Sequence, residues 1–390
     1  MDAEIERIRH SFCRPSPLIP GAIVYPFKKP LSETLVCNEW YVVGTSAEFT
    51  HDTLLARTIL GRPVVLFRDP DGKAVMMDGS CPHRNFPLGR GSLVDGEVRC
   101  GYHGIRFDPT GTCTFVPGAP KPSRHLKVRS YPVVERAGWV WSWTGDPASA
   151  DESSLPALGR PEIDEPSWHH LATSHYSLIG ARYTLLLENL MDLSHLSYLH
   201  GDVIRDTTIA DRRLDVEDGE ESLLAIRRMT NSAIGFVEAT LYGAQPGVGA
   251  YDYDNKAEYF SPSLVITGQE PWEGSPEGFG AFYFVHAVTP ETETTTHYWV
   301  HEARDFAVGD ERAESFFAQA RAVIPFQDKE ALELIEPVPD SIKFTERSQH
   351  FDRGALLMRA RIARRLLAEQ QAAEAATERA RPANPATLAR

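Results

Sequence analysis

Between Trp40 and Trp143 the apolar residues come in short runs, each closed by turn chemistry. Trp40-Tyr41-Val42-Val43 is one run and Val64-Val65-Leu66-Phe67 another. Asp69-Pro70-Asp71-Gly72 then reverses the chain into Ala74-Val75-Met76-Met77. Asp108-Pro109-Thr110-Gly111 repeats the device after Gly104-Ile105-Arg106-Phe107, and Trp139-Val140-Trp141-Ser142-Trp143 closes the region with an aromatic strand. Short strands at this spacing predict a small all-β domain over residues 38–145. Ahead of it, a proline-rich stretch up to residue 37 reads as an extended N-terminal arm. Residues 146–161, rich in Gly, Pro, Ser and acids, read as a linker.

Beyond the linker, over residues 162–370, helical and strand periods mix. Residues 181–200 have helical character, and strand-like runs follow at 264–267, 282–285 and 297–300. Leu356, Ala360, Ala363 and Leu367 recur at helical spacing beside Arg359, Arg361, Arg364 and Arg365, which predicts an amphipathic helix. Residues 371–390, rich in Ala, Glu and Pro, read as a frayed tail.

A length of 390 residues allows two or three domains with real cores. The formal net charge of −14 argues against nucleic acid or an anionic membrane as a partner. No run of about 18 apolar residues suggests a membrane span. The first residues lack the apolar stretch of a signal peptide, so the expected location is the cytoplasm. Five cysteines do not make a disulfide framework, and Cys13, Cys37 and Cys113 read as lone thiols. No G-x-G-x-x-G follows a strand, so a nucleotide-binding reductase has to be a separate polypeptide.

Cys81 and Cys100 have different neighbours. Cys81-x-His83 and Cys100-x-x-His103 are separated by 16 residues, so each loop offers one thiolate and one imidazole. Zinc fingers usually present a cysteine pair and later a histidine pair, and here the pairs are mixed. A binuclear cluster held by two loops asks for mixed pairs, with the thiolates on one iron and the imidazoles on the other. Pro82, Gly101 and Gly104 help the loops approach a compact core.

A second constellation lies at residues 188–200, ENLMDLSHLSYLH. Asn189, Asp192 and His195 share one face of an ideal helix. His200 lies five positions after His195, roughly 140° away, so the two could share a metal only if the helix bulges or unwinds.

The first pattern resembles the Rieske motif. Phe86 and Tyr102 stand where respiratory-chain Rieske proteins have a bridging cysteine pair, which points to the oxygenase and ferredoxin branch. The run Asn189-Leu190-Met191-Asp192-Leu193-Ser194-His195, ending in His200, is similar to the iron signature of Rieske oxygenases. Its wording is closest to the vanillate O-demethylase group. That resemblance implies an α+β fold, in which a small all-β Rieske domain is followed by a larger antiparallel-sheet-plus-helices catalytic domain of helix-grip type. It implies a 2Fe-2S cluster on Cys81, His83, Cys100 and His103. It also implies a mononuclear Fe(2+) on His195, His200 and a carboxylate at the start of a helix, which maps onto Asp328 in Pro325-Phe326-Gln327-Asp328-Lys329. Gln327 stands where relatives often have Glu, and on the residues alone an Asp that merely complements a helix dipole competes with the ligand reading.

The resemblance further implies that Asp192 bridges from His195 to His103 of a neighbouring subunit in a head-to-tail homotrimer, with Asn189 supporting that network. Electrons would come from NADH or NADPH through a separate flavin and iron-sulfur reductase or a ferredoxin. The expected reaction uses O2 to monooxygenate an aromatic substrate, foremost by O-demethylation to a phenol and formaldehyde. Ring hydroxylation, dihydroxylation and N-demethylation are alternatives within the family. A pure electron carrier without catalytic iron is the alternative from another class, and the long stretch beyond the linker argues against it. The substrate pocket is expected within residues 201–300, where Arg205, Arg212, Arg213 and Tyr242 stand without an assigned role.

Overall fold

The computed structural model describes residues 35–122, 124–155, 168–170, 175–337 and 347–380. Residues 1–34 of the expected arm, 156–161 of the expected linker and 381–390 of the expected tail lie outside the described residues.

The N-terminal unit is all-β in its regular elements apart from single 3-10 turns. Its strands are β1 (Trp40–Thr45), β2 (Leu55–Ile59), β3 (Arg62–Arg68), β4 (Ala74–Asp78), β5 (Ser92–Val94), β6 (Glu97–Arg99), β7 (Arg106–Phe107), β8 (Cys113–Phe115), β9 (Ser130–Tyr131), β10 (Val133–Arg136) and β11 (Trp139–Trp143). They form antiparallel sheets in the orders β1-β11-β10, β2-β3-β4-β9 and β5-β6-β7-β8. The Asp-Pro-Asp-Gly signal does what its chemistry asks. Asp69 N–H donates to the Lys73 carbonyl at 2.9 Å, and Gly72 takes φ +83°, so β3 and β4 pair as a hairpin. Val65, Phe67 and Met77 then point inward onto the buried Cys81, Cys100 and Phe107.

The C-terminal unit is a long antiparallel sheet gripping helices. Its elements are β12 (His169–His170), β13 (His175–Ile179), α1 (Tyr183–Met191), α2 (Gly201–Ile204), β14 (Leu214–Asp218), β15 (Leu223–Ala233), α3 (Phe236–Tyr242), β16 (Ala250–Ser261), β17 (Leu264–Pro271), β18 (Phe282–Pro290), β19 (Thr296–Arg304), α4 (Glu311–Ile335) and α5 (Arg353–Ala380). The strand order is β12-β19-β18-β17-β16-β15-β14, with β13 also paired to β19. The register places Arg227, Asn255, Gln269 and Phe282 side by side in one row, with Ala257, Thr267 and Phe284 in the next row on the same face.

Helix α1 has no solvent face, which suits a helix wedged between the sheet and α5. Leu186, Leu187 and Leu190 pack with Tyr259, Val265, Tyr298, Met358 and Ile362. Burying each such leucine contributes about 1.5–3 kcal/mol, and Leu187→Ala should cost about 2–5 kcal/mol through the cavity it leaves. Polar clasps on α5 hold the assembly. Arg359 pairs with Glu188 of α1, Arg365 Nη1 reaches Glu39 Oε2 at 2.5 Å, and Glu369 accepts the N–H groups of Cys37 (2.9 Å) and Asn38 (2.7 Å). The two units also share a core, in which Trp40, Trp139, Trp141 and Trp143 meet Leu264, Ile266, Tyr283 and Trp299.

Three expectations need correction. The helix expected over 181–200 ends at Met191 and resumes only at Gly201. The tail expected to fray from residue 371 continues α5 to Ala380. The described part of the linker is fastened, because Leu155, only 3% exposed, packs into the tryptophan cluster. Among the described residues no helix is long and apolar enough to cross a membrane.

Candidate metal centres

The first centre is built by two loops that repeat one backbone pattern. Cys81 N–H donates to the Phe86 carbonyl (3.0 Å), and the Cys81 carbonyl accepts from Asn85 N–H (2.8 Å). Cys100 N–H likewise donates to the Ile105 carbonyl (2.8 Å), and its carbonyl accepts from Gly104 N–H (3.0 Å). The fourth residue after each cysteine is left-handed, Asn85 at φ +55° and Gly104 at φ +70°, a conformation these two residue types accept readily. Gly101 is required by space, since a Cβ there would lie 2.6 Å from the Arg90 carbonyl oxygen.

These loops bring Cys81, His83, Cys100 and His103 together. Both cysteines are buried, and both histidines are exposed with their ring centres 4.8 Å apart. Burial raises the Cys81 thiol pKa, and the facing Cys100 thiol adds to the effect. Two buried thiols that face each other are poor neighbours unless a metal takes them as thiolates. The donor set of two sulfurs within and two imidazoles at the rim fits a Rieske cluster. Phe86 and Tyr102 form an aromatic wall here, with Tyr102 packed 3.9 Å from the His103 ring centre.

The second centre depends on the break in the helix. Asp192 is extended (φ −100°, ψ 107°) because its carboxylate accepts the Ser194 backbone N–H at 2.7 Å and the Ser194 hydroxyl, a local turn that competes with helical bonding. A 3-10 turn at His195–Ser197 follows. The unwinding places the His195 and His200 rings 5.0 Å apart at 73°, which a continuous helix would not.

Asp328 comes from well inside α4 rather than from a helix start, which corrects the expectation. The cap of that helix is Asp310, whose carboxylate accepts from Arg312 N–H (2.8 Å) and Ala313 N–H (3.3 Å). Pro325, one turn before Asp328, sits inside the helix and cannot donate to the carbonyl four residues back. His200 Nε2 lies 3.1 Å and His195 Nε2 3.6 Å from Asp328 Oδ1, and the possible ligand atoms of all three fall within 4.8 Å of one another. His200 and Asp328 are buried.

Burial works against a charged His200, but the Asp328 carboxylate 3.1 Å away outweighs it and raises its pKa. Burial lowers that of His195. Asp328 would be raised by burial, yet His200, His195 and Asn189 together hold it below the ordinary carboxylate range. Asn189 Nδ2 donates to Asp328 Oδ1 at 3.2 Å. Gln327, standing where relatives often have Glu, lies 2.9 Å from His200 Nδ1 through Oε1 and so leaves Nε2 turned toward Asp328. Nothing in the sequence signalled that contact. Two imidazoles and one carboxylate this close, with no Lys or Arg paired to Asp328 among the described residues, fit a facial metal triad.

A cavity of about 310 Å³ opens onto this triad. Its floor is the sheet face carrying Asn255, Gln269, Thr267, Phe282 and Phe284. His286, also in the lining, lies 2.8 Å from Thr267 Oγ1 and 2.7 Å from the Tyr298 hydroxyl. Burial lowers its pKa to about 3, so the ring is neutral. Of the four residues marked within 201–300, Arg205 and Arg212 line the cavity. Arg213 is exposed and pairs with Asp215 at 2.9 Å, while Tyr242 donates to the Gly280 carbonyl and stacks on Phe279. Lining residues from α1 and α4, such as Leu190 and Phe316, fall outside the expected stretch.

A mixed thiolate and imidazole cradle joined in one chain to a two-histidine, one-carboxylate set defines the Rieske oxygenase class. Comparison with known proteins agrees. Residues 39–132 match the Rieske [2Fe-2S] domain, and residues 179–368 match the vanillate O-demethylase oxygenase C-terminal domain. Dicamba O-demethylase, oxygenase component, from Stenotrophomonas maltophilia is 36% identical over 310 residues, spanning 78% of this chain and 88% of its own. The crystal structure of dicamba monooxygenase bound to 3,6-dichlorosalicylic acid has a TM-score of 0.77 at 29% identity, covering 86% of this chain and 99% of the other. The crystal structure of that enzyme with non-heme iron and dicamba has a TM-score of 0.72 at 29% identity, covering 88% and 99%. The chain belongs to this family of Rieske oxygenase components. It is an oxidoreductase of a multicomponent system, and a separate protein supplies its electrons.

Proposed function

We propose that the chain is the terminal oxygenase that O-demethylates a methoxy-aromatic compound to a phenol and formaldehyde. The observation that carries this reading is the opening of His195, His200 and Asp328 onto a largely apolar cavity. At about 310 Å³ the cavity is at the small end of ligand sites, a size suited to one substituted ring. Cys81, His83, Cys100 and His103 would hold the cluster, and His195, His200 and Asp328 the Fe(2+). When bound, the cluster supplies single electrons and the mononuclear iron supplies dioxygen activation.

The chain's own residues do the positioning. Gln327 fixes the His200 ring through Nδ1, which selects Nε2 as the ligand atom. Asn189 steadies the Asp328 carboxylate on the oxygen that faces both histidines. Phe282 and Phe284 flank the ring and keep water from the reacting carbon. One atom of O2 would enter a methoxy C–H bond while the other leaves as water, taking two electrons from the partner protein and two protons; the resulting hemiacetal collapses to the phenol and formaldehyde.

Asp192 acts as the electron bridge between His195 and His103 of a second copy, in a head-to-tail homotrimer that works in the cytoplasm. Supporting this, His195 Nδ1 is buried with no hydrogen-bond partner among the described residues, and Asp192 stands at the adjoining break in the helix. His103 and Tyr102 are exposed at the end of the first unit, and Tyr198 and Phe326 are exposed beside the second centre. The test is formaldehyde release from a panel of methoxybenzoates by the reconstituted protein with a reductase. Oxygen uptake that yields ring-hydroxylated product and no formaldehyde would overturn the reading.

A further inference from the structure

Strand β19 lies between two hydrogen-bonded pairs of tyrosine and histidine. On its cavity side the Tyr298 hydroxyl is 2.7 Å from His286 Nδ1, and both residues line the cavity onto which His195, His200 and Asp328 open. On its other side the hydroxyl of Tyr176, in β13, is 3.0 Å from His297 Nδ1. Tyr298 is 1% exposed and Tyr176 41% exposed, so only the second meets solvent. Trp299 stands between them. It follows Tyr298 in the strand and so faces the opposite way. It pairs across the sheet with Tyr176, and their ring centres are 5.2 Å apart.

The hydrogen bonds fix where each phenolic proton goes. His297 Nε2 lies 2.9 Å from the Thr58 carbonyl, which only accepts, so Nε2 carries the ring proton and Nδ1 accepts from Tyr176. His286 Nδ1 is the partner of the Tyr298 hydroxyl among the described residues, so this buried O–H is satisfied by donating to it. His286 Nε2–H then donates to Thr267 Oγ1 at 2.8 Å. Burial lowers the pKa of both imidazoles, which keeps them neutral and able to take a proton. Trp299 differs. Its Nε1 is buried with no hydrogen-bond partner among the described residues, and the Arg57 guanidinium lies 5.6 Å from its ring centre.

A phenol gives up an electron readily only when its proton leaves too, because the oxidised phenol is a very strong acid. A neutral imidazole already bonded to the hydroxyl meets that need, and the proposed demethylation uses neither pair. We propose that Tyr298, Trp299 and Tyr176 form an electron route that draws oxidising equivalents away from the metal triad when dioxygen is activated with no substrate C–H bond in reach. One oxidising equivalent at the triad takes an electron from Tyr298, whose proton moves to His286 Nδ1 and leaves a neutral phenoxyl radical. Trp299 supplies an electron to that radical, and the proton returns to the Tyr298 oxygen. The oxidised indole has no acceptor for its proton and a cation beside it, so it is a brief stop. Tyr176 refills it while its own proton passes to His297 Nδ1. A soluble reductant of the ascorbate class then gives one electron to Tyr176, and that proton returns. In sum one electron passes from the reductant to the triad. The route rests on the proposed iron triad and not on O-demethylation.

Hydrogen peroxide added to the holoenzyme without substrate, once metal analysis shows both centres filled, delivers the oxidant without a reductase. Electron paramagnetic resonance after rapid freezing should show a tyrosyl radical, identified by its narrowing on ring-deuterated tyrosine and removed by ascorbate. Tyr298→Phe should abolish it. Tyr176→Phe should leave substrate turnover and thermal unfolding unchanged. In that variant the ascorbate-sensitive radical should be lost, and peptide mapping should find oxygen adducts moved onto Tyr298 and Trp299. No radical in the wild type, a radical unaltered in both variants, or adducts confined to Trp40, Trp139, Trp141 and Trp143 would overturn the route. A filled triad that oxidises a substrate but gives no radical would remove the route alone, and peroxide that yields neither product nor radical would remove the triad with it.

Discussion

The two metal centres use the chain in opposite ways. The cluster cradle offers its four proposed ligands from one stretch, residues 81–103, on twin loops whose backbone bonds close over five residues. Its imidazoles stand at the surface. On the proposed assignment the catalytic site takes its ligands from α4 and from the broken segment after α1, and the Asn189 to Asp328 contact spans 139 positions. Its carboxylate and one histidine are buried. An electron-transfer group has to be approached, so its ligands belong at the rim. A site that activates oxygen has to be closed, so it needs the packed core of the whole second unit.

Removing one ligand from each centre breaks the comparison most strongly. Asp328→Ala should abolish turnover by a factor on the order of a thousand or more, with the third iron lost by metal analysis and the rhombic cluster signal intact. Cys81→Ser should do the reverse, bleaching the cluster while the mononuclear iron is kept. Loss of both metals in either variant would show that the centres are not independent.

Asp192→Asn probes the link between them. Both metals should stay bound while steady-state turnover falls about a hundredfold, and normal turnover would remove the bridge. Gln327→Ala and Asn189→Ala should each weaken retention of the mononuclear iron about tenfold against a chelator. The cluster spectrum should not change in either.

The smallest effect is a pH dependence confined to the second unit. His286 has a folded pKa of about 3 against an ordinary 6.5. The unfolded chain therefore binds a proton that the folded one refuses between those values. Stability contributed by neutral His286 is complete above pH 6.5 and falls by about 1.4 kcal/mol per pH unit below it. Urea unfolding at pH 5 and pH 7 should show that slope, and His286→Asn should flatten it.

What could be read from the sequence follows the same divide. The cradle was legible because spacing, glycines and turns all lie within one window, and backbone geometry is a local property. The β-strands between Trp40 and Trp143 were legible for the same reason. At the catalytic site the paired histidines were visible and so was the need for unwinding, but not its cause, which is the hydrogen bonding of Ser194 to Asp192. Asp328 was placed by family likeness, which carried a helix start with it, whereas the helix begins at Glu311 and runs on through Pro325. Gln327 and the His286, Thr267 and Tyr298 contacts were out of reach, since they depend on strand register and on which face of a long helix turns inward.

The twin loops of the cradle carry one more consequence. The amides of Cys81, Asn85, Cys100 and Gly104 are already committed to carbonyls of the same loop, at 2.8–3.0 Å. When the cluster gains or loses an electron, those dipoles have little freedom to swing in response. Small rearrangement on each redox change is the condition for rapid outer-sphere exchange, so the scaffold favours speed in both charging and discharging.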